Sequence, residues 1–113
     1  VHNAGFAFTM DATEPFSVQA EKTTRINFFN TIVGTEAFLP VLKDGGRVVV
    51  LGSRAGYLSN IPGEETRAAF IAPDVTVDAL RKHVQSFVDA TKNGNHKDLG
   101  WPNNSYGTSK VAV

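Results

Sequence analysis

The run Val48-Val49-Val50-Leu51 constrains this chain most. It is short, continuous, rich in β-branched residues and bounded by Gly45-Gly46 and Gly52. Such a run reads as a strand covered on both faces, as in a parallel sheet under helices. The segments around it are helical in pattern. From Phe16 to about Leu42, apolar residues recur at spacings of three and four (Phe16, Ala20, Ile26, Phe29, Val33, Ala37, Phe38), which predicts a long, largely buried helix. Thr13 is its candidate cap, Pro15 lies in its first turn, and Pro40 tightens or ends it. Pro62 to Phe70 predicts a short helix. A clearer one opens at Thr76-Val77, carries Val77, Leu80, Val84, Phe87 and Val88 on one stripe, and stops at Asn93-Gly94. Ser105 is a candidate cap for a last helix beginning at Tyr106. Alternation of strand and helix predicts an α/β fold.

Composition narrows the function. Eleven basic and eleven acidic residues cancel, which argues against a basic nucleic-acid surface. No apolar run is long enough to span a membrane, and no segment resembles a targeting signal. The absence of cysteine removes disulfides and thiolate chemistry and fits a reducing, cytoplasmic setting. His2, His83 and His96 have no metal-ligand spacing, and the last two read as solvated, so no metal site is expected. The apolar stubs Val1 and Val111-Ala112-Val113 predict a slice of a longer chain, cut inside a strand and a helix.

Three groups of residues could carry chemistry. In Tyr106-Gly107-Thr108-Ser109-Lys110, helical spacing puts a phenol and an ammonium on one face. A cation within about 4–6 Å lowers a phenol's pKa from about 10 and fits it for proton exchange. The alternative is a lysine draped over the ring. Ser53, just past the candidate strand, could donate to a carbonyl oxygen or simply cap a loop. Asn27, among Ile26, Phe28 and Phe29, either finds buried partners or lies partly exposed. Trp101 either anchors a ligand or staples its loop.

Together these residues resemble the short-chain dehydrogenase/reductase family. Asn3-Ala4-Gly5 resembles the family's Asn-Asn-Ala-Gly signature, with His2 in place of the first Asn. Asn27 to Thr31 is similar to its active-site helix, Arg47 to Ser53 to its strand and serine loop, and Tyr106 to Lys110 to its Tyr-x-x-x-Lys. Ser53 and Tyr106 lie 53 positions apart, and this spacing resembles the branch of monomeric, NADPH-dependent carbonyl reductases. Gln19-Ala20-Glu21 and Gly100-Trp101-Pro102 resemble that branch too.

The resemblance implies a Rossmann-like, doubly wound parallel sheet, present in part, with a helical insert over residues 57–104 between Ser53 and Tyr106. Residues 1–113 then form the central part of a single domain. It implies hydride transfer from NADPH to a small carbonyl substrate (ketone, aldehyde or quinone). Tyr106 is the implied general acid. Lys110 lowers its pKa and holds the nicotinamide ribose, Ser53 bonds the carbonyl oxygen, and Asn27 holds a relay water. Asn3, Ala4 and Gly5 line the cofactor, and Gln19 sits at the substrate mouth. The implied state is a monomer. The 113 residues alone are expected to be inactive and to bind NADPH weakly, because the Gly-rich pyrophosphate loop is not among them. A related but inactive scaffold and a small independent binding domain are the alternatives.

Overall fold

The computed structural model describes residues 1–113. Helix α1 (Phe16–Thr24) passes directly into a π-helical stretch (Arg25–Phe29), then into α2 (Asn30–Phe38), and closes in a 3-10 turn (Leu39–Val41). The predicted long helix is therefore present, with a wide turn in its middle. Pro15, not Thr13, precedes its first residue, and no side chain caps it. In the wide turn the Asn30 N–H reaches back five residues to the Arg25 carbonyl. Threonine hydroxyls donate to carbonyls one turn back on both sides of it, Thr24 to Ala20 (2.7 Å), Thr31 to Asn27 (2.8 Å) and Thr35 to Thr31 (2.8 Å). Such back-bonding competes with the regular ladder and bends helices.

The long helix is buried only in part. Ala20, Thr23, Thr24, Asn27 and Phe28 are buried, whereas α2 buries nothing and Val33 and Phe38 are exposed. The helices that pack against this element, α4 (Val77–Asn93) and α5 (Ser105–Ala112), meet α1, and α5 also meets the π-helical stretch. Neither packs broadly along α2, so its apolar residues stay in the open.

The expected doubly wound parallel sheet is not formed, and the Rossmann-like assignment is corrected to a small helical domain. Val48–Leu51 is extended, but it pairs at a single parallel bridge between His2 and Val50. The His2 N–H donates to the Val49 carbonyl (2.7 Å) and the Leu51 N–H to the His2 carbonyl (3.1 Å). A strand needs ladder neighbours along its edges and covers over its faces. Here one short neighbour is present, and the four residues of the run are 39–46% exposed.

The core forms where α4 crosses α1. Phe87, Val88, Ala90, Ala20, Ile61 and Trp101 are buried together, with Phe16, Phe70 and Val111 against them. The short α3 (Glu64–Ala68) precedes α4. Thr76 caps α4, accepting from the Ala79 N–H (3.1 Å), and Gly94 ends it at φ +74°, a left-handed value that glycine adopts without steric cost. Of the predicted stripe, Val84, Phe87 and Val88 are buried and Val77 is exposed. Trp101 is a staple, with its ring 5.2 Å from Phe87 and 4.7 Å from His83. The histidines read as solvated are not. His83 Nε2 lies 2.8 Å from the Thr66 carbonyl, and buried His96 packs on Phe16 (4.9 Å) with Nε2 3.0 Å from Asn103 Oδ1. No helix is long and apolar enough to cross a membrane.

Two outcomes follow for stability. Phe87→Ala destabilises the chain by about 3–5 kcal/mol in urea titration, whereas Val77→Ala changes it by less than about 0.5 kcal/mol. Burial lowers the pKa of His83, and its bond to the Thr66 carbonyl opposes this only in part. The unfolded chain therefore takes up the proton first. Stability is full above about pH 6.5 and declines as pH falls from there through the lowered folded value. Melting curves between pH 7.5 and 5 show this slope, and His83→Phe flattens it.

Candidate active site

Asn27 faces inward from the π-helical stretch and is 2% exposed, so the alternative of a surface asparagine falls away. Its Oδ1 accepts from the Phe6 N–H (2.7 Å). Its Nδ2 donates to the Phe6 carbonyl (2.8 Å) and to Ser109 Oγ (2.9 Å). Ser109 Oγ in turn donates to the Tyr106 carbonyl (2.7 Å). One amide thus joins the loop after Gly5, the long helix and α5. Ser109 and the Phe6 backbone were not singled out in the sequence. The only signal was that an amide in apolar surroundings must find partners.

Helix α5 is capped by Asn104, which accepts from the Gly107 N–H (2.8 Å), so the cap lies one residue before the predicted Ser105. The loop after Ser53 packs tightly on this helix. A Cβ on Gly107 would stand 3.3 Å from the Ala55 carbonyl oxygen, and one on Gly56 would stand 2.5 Å from that of Lys110. Lys110 Nζ lies 5.9 Å from the Tyr106 ring centroid and donates to the Leu51 carbonyl (3.0 Å). The extended run thereby anchors the ammonium.

Tyr106 forms part of two clefts. One, of about 350 Å³, is lined by Asn3, Gly5, Phe6, Leu51, Gly52, Tyr106 and Lys110 among others. The other, of about 480 Å³, includes Phe8, Met10, Glu14, Phe16, Gln19 and Tyr106. Gln19 Nε2 donates to the Glu14 carbonyl (2.9 Å). Ala4 lies outside both, in a shallow hollow with Ile26, Asn30 and Thr31. Ser53 is exposed and lines neither cleft. Its Oγ accepts from the Ala55 N–H (3.2 Å), the capping role, which leaves its own proton free to donate elsewhere. A further hollow of about 330 Å³, among Phe38, Leu39, Leu42 and Val48, holds none of the expected site residues.

The first cleft fits a nicotinamide ribose in its donor set. Lys110 Nζ has protons beyond the one given to Leu51. A Cβ on Gly5 would sit in ordinary contact with Asn27 Oδ1 (3.5 Å) and Lys110 Nζ (3.8 Å), so Gly5 borders both groups.

No family profile matches the chain. Curated proteins do. It is 42% identical to carbonyl reductase (NADPH) 3 of Rattus norvegicus over 115 aligned residues, covering 100% of this chain and 41% of that protein. It is 39% identical to carbonyl reductase (NADPH) 1 of Bos taurus and 36% identical to that of Homo sapiens, each over 114 residues with the same coverages. The chain thus spans about two fifths of the length of these relatives.

Asn27→Asp tests the central amide. It preserves shape and the acceptor for the Phe6 N–H but loses both donations from Nδ2. Denaturant titration is expected to show a loss of about 2–4 kcal/mol, because the Phe6 carbonyl then faces a buried carboxylate oxygen.

Proposed function

Because the chain is a relative of the NADPH carbonyl reductases over its whole length, we propose that it carries the proton-transfer side of an NADPH-dependent reduction of small ketones, aldehydes or quinones to alcohols. The observation that carries this reading is the position of Tyr106, shared between the cleft that holds Lys110 and the cleft that holds Gln19. A cofactor in the first and a carbonyl in the second meet at its phenol.

Bound NADPH supplies the hydride to the carbonyl carbon. The protein's part is the proton and the alignment. Tyr106 gives its hydroxyl proton to the carbonyl oxygen as that oxygen gains negative charge. Lys110, held by the Leu51 carbonyl, would grip the nicotinamide ribose. Ser53 uses its free hydroxyl proton to bond the carbonyl oxygen, turning from its capping position. The Asn3–Gly5 backbone, Ala4 included, lines the cofactor, and Gln19 borders the substrate. Asn27 supports a relay water. The floor beside Gly5 lies within about one water's reach of both Asn27 Oδ1 and Lys110 Nζ, which would let that water return a proton to the phenol.

Residues 57–104 act as an insert whose α4 covers α1, which supports a monomer. The 113 residues by themselves carry no Gly-rich pyrophosphate loop, so they hold NADPH weakly and do not turn over.

The test is NADPH oxidation with a quinone in the intact protein that carries this sequence. Tyr106→Phe is expected to lower kcat by at least about a hundredfold, with little change in melting temperature. A Tyr106→Phe rate near that of the wild type overturns the assignment.

A further inference from the structure

We propose that His2 is a positioning residue that fixes both Lys110 and the Asn3–Gly5 wall of the cofactor cleft, by locking its own segment to α2 through Thr35. This deepens the function proposed above and rests on it.

Three observations converge on His2. Its Nε2 lies 3.0 Å from Thr35 Oγ1. The Thr35 hydroxyl proton is already committed to the Thr31 carbonyl (2.8 Å), so Thr35 accepts and His2 donates from Nε2–H, with Nδ1 unprotonated in the neutral ring. Secondly, the ring lies over Gly34. A Cβ there would stand 3.1 Å from His2 Cε1, tighter than ordinary contact, so the imidazole rests directly on this glycine. Thirdly, the His2 backbone makes both bonds of the parallel bridge, to Val49 and from Leu51.

Leu51 carries the effect to the site. Its N–H is held by His2 and its carbonyl by Lys110 Nζ, so a single residue joins the lock to the ammonium. Asn3, the next residue after His2, already lines the cleft with Gly5, Tyr106 and Lys110.

The experiment uses the intact protein that carries this sequence and reads two quantities. The first is hydrogen exchange by mass spectrometry in peptides covering residues 46–52, with 84–92 in α4 as control. The second is the split of KM for NADPH against kcat. His2→Ala and Thr35→Val are each expected to speed exchange in 46–52 about fivefold, leave 84–92 unchanged, and raise KM about fivefold with kcat within about twofold. The double variant does no worse than either single one, because both remove the same bond. His2→Gln, whose amide still donates, restores most of the affinity.

Unchanged exchange in 46–52 for Thr35→Val overturns the inference, as does a rise in both peptides together, which marks general destabilisation. Unchanged KM with locally faster exchange overturns the link to the cofactor wall. If the wild-type protein oxidises no NADPH with any carbonyl, the proposed function falls instead, and the exchange arm still decides whether His2 holds the segment.

Discussion

The arrangement of this chain depends on one buried amide. Asn27 uses Oδ1 and both Nδ2 protons, and its partners come from two segments far away in sequence, Phe6 and Ser109. A buried amide with one missing partner costs free energy comparable to a lost hydrogen bond, so the three segments are held together or not at all. The wide helical turn belongs to the same constraint. A π-helical stretch adds a residue to one turn and is common at functional positions. Here it leaves Asn27 and Phe28, neighbours in sequence, both buried. The amide faces Phe6 and α5, while the loop from Gly5 onward is drawn along the long helix.

A second, weaker tie acts on the same loop. Lys22 Nζ stands 4.7 Å from the Phe6 ring centroid and 5.5 Å from that of Phe8, and the two rings meet edge to face at 4.9 Å. Cation–π contacts of this kind at partly exposed sites are worth about 0.5–1 kcal/mol. That is enough to bias side-chain positions and too little to set the path of the backbone. The path is set by the amide, and Lys22 settles the Phe6 ring at the cleft with Lys110 and the Phe8 ring at the cleft with Gln19.

Local signals were legible where the residue carries its own reason. Thr76 and Gly94 bound α4 because a hydroxyl cap and a left-handed glycine need nothing from the rest of the molecule. The Tyr106–Lys110 pair, and the need of Asn27 for partners, could be read the same way. What could not be read was anything that depends on a distant neighbour. Ser109 is an ordinary helix residue until Asn27 meets it. His83 and His96 each follow a polar residue in the sequence, and packing against Trp101 and Phe70 for the first and Phe16 for the second draws them from water. Resemblance to a family supplied the grouping of Asn3, Gly5, Asn27, Tyr106 and Lys110, and the clefts and hydrogen bonds bring these residues close. It also grouped Ser53 and Ala4 with them, and these two line neither cleft.

The sheet failed for a related reason. β-branched residues favour an extended backbone through their own side-chain sterics, and Val48–Leu51 is extended. A sheet is a property of pairs, and pairing is decided by what lies alongside. Here the pairing is a single bridge between His2 and Val50, so the run keeps the conformation its residues dictate and lacks the ladder that usually goes with it. The run is held at three atoms beside the site: the Leu51 N–H, the Leu51 carbonyl and the Val49 carbonyl. For that reason the precision of the ammonium next to Tyr106 rests on the few contacts that hold the His2 segment to α2.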